Sequence, residues 1–448
     1  MGVAKEALAF ALAFVLLMLS LKVFIGETDI WGPYYYRHAE KTYAIGSTLY
    51  YDDLSYLGRD FTYPPAYFMF AAQVSSLAQA PSSDAMRFPT HMLVMLFSIF
   101  TTYLLFENFE WRGRLLASLM LVAYTFYFIT NTSITLHALS FGLLNSSVIL
   151  FRRKDGGAGV LGTAALGLSF ATHPLSLLAF PLYAYATGGF SLDLKKALVF
   201  GIGAIVLSLP LYLPLFLKSG LPNEIVPPQW GYIHSFGMEG MYLDMLFLLP
   251  MMLLAIVFGL AHKDFLNPLI LLAFFLATAF VSFRANIFLG VFLAGFFPKV
   301  FEQELKDKRF LSLSLLAVFL NIAIVPLIYS GITDWCSWGA ANDMCIAPMQ
   351  YIAKHTPTEG RVAADPEFGH LEAYYGRRPV LSDLYVEYAD ERKYTAEAIF
   401  YYTLDTAPLT PYNVSILQLD DKWGVIRHLN NTDRVYDNGY VHIFRRVP

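Results

Sequence analysis

The sequence predicts an α-helical polytopic membrane protein that carries a small external C-terminal domain of α/β or α+β type. Of its 448 residues, 56% are hydrophobic and 15% are charged, whereas typical soluble domains carry about 25% charge. Apolar runs of roughly 18 residues recur, and each is long enough to cross a bilayer core of about 30 Å as a helix. From Gly331 onward the composition becomes polar.

About eleven segments are expected to cross the membrane. The first is expected to be a retained span and not a cleaved signal peptide, because no convincing small-residue cleavage site follows it. The segments are Ala7–Ile25, Phe88–Phe106, Arg114–Thr130, His137–Phe151, Gly159–Thr172, Pro174–Thr187, Ala197–Leu217, Met241–Leu260, Leu266–Phe283, Ile287–Phe297 and Phe310–Tyr329.

Basic residues predict the orientation, because cytoplasmic ends of spans are rich in Lys and Arg. With these spans one side collects the basic positions Arg112, Arg114, Arg152 to Lys154, Lys195, Lys196, Lys263, and Lys299 to Arg309. The N-terminus is then cytoplasmic, and the C-terminal domain is external or lumenal, in a plasma or endoplasmic-reticulum-type membrane. This arrangement requires Pro65–Ala80 to be an interfacial or re-entrant helix; a true short span is the alternative.

Two domains follow from this pattern. Residues 1–331 form the transmembrane module, with a long first external loop at 26–87, and residues 332–448 form the external domain. Short strand-like runs such as Arg361–Ala364 and Val441–Phe444 alternate there with turn residues. Cys336 and Cys345 are the two cysteines of the chain; on the external side they fit either a disulfide or two free thiols.

Composition and motifs narrow the function classes. The net charge of −4 argues against a nucleic-acid partner. The chain contains no HExxH, P-loop, GxSxG or CxxC motif, so it shows no sign of the familiar soluble chemistries, and no cofactor is expected.

The stretch from Asp29 to Tyr67 concentrates chemically useful side chains directly after the first span. Charges held beside a low-dielectric bilayer are costly and usually functional. Asp29 is the candidate general base for an acceptor hydroxyl, with Glu27 next in line; a solvated acid at a helix end is the alternative. Further donor-phosphate or substrate-binding candidates in this loop are Arg37, His38, Arg59 and Tyr63. Asp52-Asp53 and Arg59-Asp60 also fit turn formers with local ion pairs.

Later external turns add four candidates for substrate binding. His137 opens the fourth span, where a capping turn is the alternative. Glu224 and His234 lie in a loop, 218–240, whose length and aromatic residues suit a lid, although an aromatic belt at the interface explains them too. Arg284 lies between apolar residues at the end of the ninth span. It needs an anionic partner, and a lipid phosphate or a carboxylate such as Asp29 would serve.

These positions resemble the C-type (GT-C) superfamily of membrane glycosyltransferases, which includes oligosaccharyltransferase catalytic subunits, protein O-mannosyltransferases and aminoarabinose transferases. In that superfamily the first external loop begins with an acid, passes through an aromatic-rich stretch and ends in a Tyr-Pro-type motif. Asp29-Ile-Trp, Tyr35-Tyr36-Arg37 and Phe61-Thr-Tyr-Pro-Pro65 match that layout. The resemblance implies that Asp29 is the catalytic base and that the donor is a polyprenyl-phosphate-linked sugar.

The tail is similar to the oligosaccharyltransferase branch, with two departures. Tyr375–Asp383 resembles the segment around that branch's Trp-Trp-Asp-Tyr-Gly motif, but the corresponding place, Ala364–His370, lacks the tryptophans. The acid-x-acid motif of the second external loop is also missing from Asn131–His137. We therefore expect metal-independent, inverting transfer of one sugar to a lipid, glycan or protein acceptor. A divergent oligosaccharyltransferase and a non-catalytic membrane protein that binds lipid head groups are the alternatives.

Overall fold

The computed structural model of the chain describes residues 2–25, 32–47, 49, 51–60, 65–123, 136–153, 155–188, 190–219, 249–280, 286–332, 343–364, 369–383, 390–420, 429, 431–439 and 441–446. The chain divides into two compact units. The first unit comprises Met1–Ile25, Arg87–Tyr212 and Pro228–Tyr329, and the second comprises Gly26–Met86, Leu213–Pro227 and Ser330–Pro448.

Helices dominate the described residues. In chain order they are α1 (Gly2–Ile25), α2 (Gly32–Ile45), α3 (Ala66–Ala78), α4 (Ser82–Ala85), α5 (His91–Leu105), α6 (Trp111–Ala123), α7 (Leu136–Arg152), α8 (Gly156–Thr172), α9 (Leu175–Thr187), α10 (Leu194–Ser219), α11 (Leu249–Ala261), α12 (Leu266–Phe280), α13 (Asn286–Val300), α14 (Lys308–Ile332), α15 (Asp343–His355), α16 (Gly369–Leu371) and α17 (Glu391–Thr403). Two π-helical turns, Met86–Thr90 and Glu372–Gly376, accompany them.

A helix overlaps each segment that the sequence predicts to span the membrane. Within the described residues, two helical stretches, Phe88–Leu105 and Leu194–Pro214, are both long and apolar enough to cross a bilayer core. The latter, in α10, leaves Leu198, Ile202 and Val206 about 60% exposed at helical spacing. The number of crossings and their orientation stay predictions.

The first unit is held together by aromatic packing and by basic side chains at helix ends. Phe292, Phe296 and Phe297 of α13 are fully buried in its core. Arg152 donates to the carbonyl of Leu105, the last residue of α5, at 2.6 Å. Lys196 similarly donates to the carbonyl of Arg153, just past α7, at 3.0 Å. Cations stabilise the last carbonyls of a helix, so these basic residues have a local structural role beside any role in orientation.

The second unit joins the first loop to the C-terminal segment. The strands β1 (Tyr51–Asp52) and β2 (Arg59–Asp60) form a small antiparallel sheet. A small C-terminal sheet is present as predicted, built from β3 (Arg361–Ala363), β4 (Val414–Asp420), β5 (Thr432–Asp437) and β6 (Val441–Arg446) in the order β3-β4-β6-β5. In this sheet β3 and β4 are parallel, and the other pairs are antiparallel.

Backbone hydrogen bonds tie the two sheets of this unit together. The turn after β1 donates from the Leu57 amide to the Val380 carbonyl at 2.9 Å, and the Val380 amide donates back to the Leu54 carbonyl at 2.8 Å. Val380 itself bridges to Val362 of β3. The first loop is therefore anchored on the C-terminal segment, a contact between residues more than 300 positions apart that the sequence did not indicate.

Candidate functional site

One face of α2 carries three of the basic residues of the first loop. Arg37, His38 and Lys41 follow at helical spacing, so their side chains share a face. The helix ends at Gly46, whose φ of +67° lies in the left-handed region that favours glycine, and its amide donates to the Thr42 carbonyl at 3.0 Å. The chain then returns through β1, which brings Asp52 back to the basic face.

Asp52 is the centre of this cluster. Its Oδ2 atom accepts from Arg37 Nη2 at 2.6 Å and lies 3.1 Å from His38 Nε2, while Lys41 Nζ lies 3.8 Å from Oδ1. The Asp52 side chain is fully buried. Burial is the largest single influence and would raise the pKa of Asp52, but the attractions of Arg37, His38 and Arg59 together hold that pKa well below its usual value.

His38 is held between two acceptors. Its Nδ1 atom is 2.7 Å from the Tyr34 carbonyl, and its Nε2 atom faces the Asp52 carboxylate. Burial, the largest influence, lowers the pKa of His38 despite the opposing attraction of Asp52. A neutral imidazole carries one N–H, so it can donate to only one of these acceptors, whereas the protonated ring can donate to both.

Within the described part of the chain, the Arg37 guanidinium makes fewer hydrogen bonds than it has donors. The residue is 3% exposed, and its guanidinium carbon lies 5.9 Å from the centre of the Tyr34 ring. Its Nε and Nη1 atoms are buried and have no hydrogen-bond partner among the described residues. Buried polar groups are nearly always paired, so these donors are available for an anion that the described residues do not supply.

A second buried cluster holds Arg59. Its Nη2 atom lies 3.3 Å from Asp383 Oδ1, and Ser55 Oγ donates to Asp383 Oδ2 at 2.5 Å. Burial opposes the charge on Arg59, but the attraction of Asp383 and neighbouring groups raises its pKa above the usual value. Arg59, a predicted substrate-binding residue, thus has a carboxylate partner within the protein.

Asp383 also stabilises the turn between β1 and β2. Tyr56 and Leu57 have φ values of 50° and 57°, which non-glycine residues seldom adopt. The Tyr56 hydroxyl donates to the Asp383 carbonyl at 2.8 Å, and Lys393 Nζ donates to the Tyr56 carbonyl at 2.7 Å. Burial first, and the nearby Asp383 charge second, raise the pKa of Tyr56 well above normal, so its hydroxyl stays protonated.

In the first unit, His137 lies in the first turn of α7 beside His173, with ring centroids 4.4 Å apart. Both line a small cavity, together with Ser140, Phe141, Leu144, Ser176, Ala179 and Phe288. The other predicted residues Asp29, Tyr63, Glu224, His234, Arg284 and Cys336 lie outside the described residues, as does the side chain of Cys345 in α15. Their assignments, including the disulfide, stay predictions.

Sequence reasoning missed several residues of these clusters. The turn with local ion pairs that the sequence predicts at Asp52 is matched by its contacts with Arg37 and Lys41 of the same loop. Asp383 was predicted only as part of a motif-like segment, because its partners Ser55 and Arg59 lie more than 320 positions away in the chain. The sequence signal that was available is the cost of placing charges beside a low-dielectric bilayer. It indicated Arg37 and His38 as functional candidates, whereas Asp52 was interpreted as part of a turn with local ion pairs.

Comparisons with solved structures identify the fold. The apo oligosaccharyltransferase of Archaeoglobus fulgidus superposes with a TM-score of 0.64 at 13% identity, over 93% of this chain and 69% of that one. ArnT from Cupriavidus metallidurans bound to undecaprenyl phosphate gives 0.59 at 14% identity, over 99% and 98%. The arabinofuranosyltransferase AftD from Mycobacteria gives 0.56 at 13%, over 99% and 42%.

All three of these neighbours are GT-C glycosyltransferases. No protein-family model and no curated protein sequence matches the chain. The chain therefore has the fold of the C-type glycosyltransferases, as the resemblance in its sequence predicts.

Proposed function

We propose that this protein is an integral-membrane glycosyltransferase that moves one sugar from a polyprenyl-phosphate carrier to an external lipid, glycan or protein acceptor, with inversion and without a metal ion. The fold supports a reaction of this class. Two of the structural neighbours were solved with lipid phosphates, AglB with a dolichol-phosphate and ArnT with undecaprenyl phosphate. From this likeness in fold we infer that the sugar donor of this chain is also carried on a lipid phosphate.

The observation that carries the proposal is the pair of unpartnered guanidinium nitrogens on Arg37. Nε and Nη1 are buried without a partner among the described residues, while Nη2 is fixed on Asp52. Arginine forms short, charge-assisted hydrogen bonds to phosphate oxygens. An arginine whose orientation is already fixed loses little freedom on binding such a group, which suits it to gripping a phosphate that gains charge as the sugar leaves.

The proposed reaction is a single displacement. The acceptor oxygen attacks the anomeric carbon while the bond from that carbon to the phosphate oxygen breaks, which inverts the centre. Asp29 takes the acceptor proton as general base. The electron pair of the broken bond stays on the departing polyprenyl phosphate, whose charge Arg37 and Arg284 neutralise.

Metal independence is part of the proposal. It rests on the absence of the acid-x-acid motif from Asn131–His137, so no step is assigned to a metal ion. We expect transfer to survive chelation with EDTA. Turnover lost in EDTA and restored by Mn²⁺ or Mg²⁺ would refute this part of the proposal.

A divergent oligosaccharyltransferase is the second candidate, because structures of the Archaeoglobus fulgidus oligosaccharyltransferase give TM-scores of 0.54–0.64. The missing tryptophans at Ala364–His370 weigh against it. Transfer to a peptide containing Asn-x-Thr, compared with transfer to lipid and glycan acceptors, separates the two candidates.

The decisive variants for phosphate binding are at Arg37. With a synthetic polyprenyl-phosphate sugar as donor, Arg37→Lys keeps the charge beside Asp52 but removes the planar donor set, so we expect the donor KM to rise about tenfold or more. Arg392→Lys, an exposed arginine of the same unit, is the control and should leave KM unchanged. A folded Arg37→Lys protein with wild-type KM and kcat would eliminate Arg37 as a phosphate ligand.

A further inference from the structure

An Asn-x-Ser/Thr triplet begins in an exposed turn of the second unit. The sequence contains four such triplets, which begin at Asn131, Asn145, Asn413 and Asn430. Asn145 is fully buried within α7, where its amide nitrogen donates to Thr102 Oγ1 at 3.1 Å. Asn413 is exposed, and the other two asparagines lie outside the described residues. Burial therefore sets Asn413 apart from Asn145 as a position where a large group can be attached.

The backbone around Asn413 forms a turn at the protein surface. Asn413 ends the 3-10 helix Ala407–Tyr412 and directly precedes β4. Its φ of 50° lies in the left-handed region, which asparagine tolerates better than most residues with a side chain. Its amide donates to the Thr410 carbonyl at 3.3 Å, so the backbone is held while the side chain faces solvent. Bulk added to this side chain displaces no packed residue.

The other two residues of the triplet belong to the C-terminal sheet. Val414 is 3% exposed, and its carbonyl accepts from Arg446 Nη1 at 3.4 Å. Val414 also pairs with Arg361 of β3, and Ser415 Oγ lies 3.5 Å from the Arg361 carbonyl. An enzyme that recognises both the asparagine and the hydroxyl of the triplet needs access to Ser415. That access ends when β4 pairs in the sheet, so any attachment to Asn413 precedes this pairing.

We propose that Asn413 is a site of N-linked glycosylation, modified before β4 enters the sheet. The donor is an oligosaccharide linked to a lipid pyrophosphate, and an oligosaccharyltransferase of the cell performs the transfer. A bond forms between Asn413 Nδ2 and the anomeric carbon, the amide loses one proton, and the bond from that carbon to the pyrophosphate oxygen breaks with its electron pair on the leaving lipid. This chain is the acceptor here, so the inference does not rest on its proposed catalytic function. It requires the predicted external or lumenal position of the C-terminal domain.

Mass spectrometry of tryptic peptides from the full-length protein, made in cultured eukaryotic cells, tests the site. Lys422 and Arg427 separate the triplets at Asn413 and Asn430 into different peptides. We expect a glycan on the Asn413 peptide that peptide-N-glycosidase removes. Asn413→Asp and Ser415→Ala should lose this glycan, whereas Ser415→Thr retains a hydroxyl and should keep it.

Asn431→Asp is the matched control. Asn431 is also exposed, and its φ of 58° gives it the same left-handed backbone as Asn413. It is the middle residue of the triplet that begins at Asn430 and is not followed by a triplet of its own. The control variant should therefore carry the same glycan on Asn413 as the wild type does.

The second triplet makes a negative result informative. A glycan on Asn430 together with an unmodified Asn413 would overturn the assignment, because the segment would then have met the transferring enzyme without modification of this site. Unmodified peptides at both triplets would overturn the inference together with the predicted orientation. A glycan that persists on Asn413 in the Ser415→Ala variant would contradict recognition of the triplet.

A second experiment tests the order of modification and folding. The acceptors are the folded full-length protein, purified without glycans, and a synthetic peptide that spans Thr410–Gln418. Each is incubated with a purified oligosaccharyltransferase and its lipid-linked donor. Modification of the folded protein requires local opening of β4, which costs free energy, so we expect the peptide to be modified about tenfold or more faster. Equal rates would contradict modification before folding.

Discussion

The charged residues of the first loop owe their pKa values and their orientation to being buried in contact with one another. Asp52, Arg37 and His38 are each almost inaccessible to solvent. The buried charges of Asp52 and Arg37 are tolerable only because each has the other as its partner. The net benefit of such a cluster over an apolar core is small, but removing one member leaves an unpaired buried charge. Asp52 is therefore a structural requirement for the Arg37 orientation on which the proposed phosphate contact depends.

Replacing Asp52 by asparagine tests that requirement. Arg37 would keep its charge and lose its partner, so we expect a loss of about 3–5 kcal/mol in the free energy of unfolding, measured by denaturant titration in detergent micelles. Asp53→Asn is the control, because that neighbouring side chain is 62% exposed and pairs with Lys41 at the surface, where pairs contribute about 0–1 kcal/mol. Equal losses in the two variants would contradict the account.

The buried carboxyl group of Glu372 should make the stability of the protein depend on pH. Burial, opposed by Arg378, raises its pKa from 4.5 to about 8. Neither carboxyl oxygen has a hydrogen-bond partner among the described residues. Gly376 leaves room for the group, since a Cβ atom there would lie 2.1 Å from Oε1.

The pKa of Glu372 is higher in the folded protein than in the unfolded chain, so the protonated carboxyl group contributes to stability. That contribution is complete below pH 4.5 and is lost as the pH rises through about 8. The free energy of unfolding falls by ~1.4 kcal/mol per pH unit at most. Glu372→Gln cannot ionise, so its thermal midpoint should fall less than that of the wild type between pH 5 and pH 9. Parallel curves for the two proteins would show that Glu372 does not titrate in this way.

At the scale of elements, helices were predictable and long-range pairing was not. The helix predicted at Pro65–Ala80 is present as α3, because continuous apolar residues and a proline at its start are local signals. The bond between Ser55 and Asp383 joins residues 328 positions apart, and nothing local marks it. For the same reason Arg59 was assigned to substrate, although Asp383 pairs with it inside the protein.

A double-mutant cycle tests whether that pair couples the first loop to the C-terminal segment. Arg59→Met and Asp383→Asn should each destabilise the protein, because each leaves its partner buried without a counter-charge. The double variant should lose less free energy of unfolding than the two single variants lose together, with an interaction energy of about 1–3 kcal/mol. Asp433→Asn, an exposed position on β5, is the control, and its loss in the free energy of unfolding should add to that of Arg59→Met. If the losses of Arg59→Met and Asp383→Asn also simply add, the coupling is disproved.

At the scale of the whole molecule, the predicted orientation places the C-terminal segment outside the cell or in the lumen. In a chain whose Cys336 and Cys345 are replaced by serine, a cysteine at the exposed position Thr395 should react with an impermeant maleimide on intact cells. A cysteine at the exposed position Lys195 should react only after permeabilisation. The reverse pattern would refute the orientation and, with it, an external active site.

The central claim is sugar transfer from a lipid phosphate with Asp29 as general base, and steady-state transfer kinetics of Asp29→Asn test it most directly. With a synthetic polyprenyl-phosphate sugar, we expect turnover to fall on the order of 10²–10⁴-fold, while donor affinity and thermal midpoint stay at wild-type values. Asp53→Asn, the exposed acid of the same loop, should keep its rate. An Asp29→Asn enzyme that is equally stable and nearly as fast as the wild type would contradict the account.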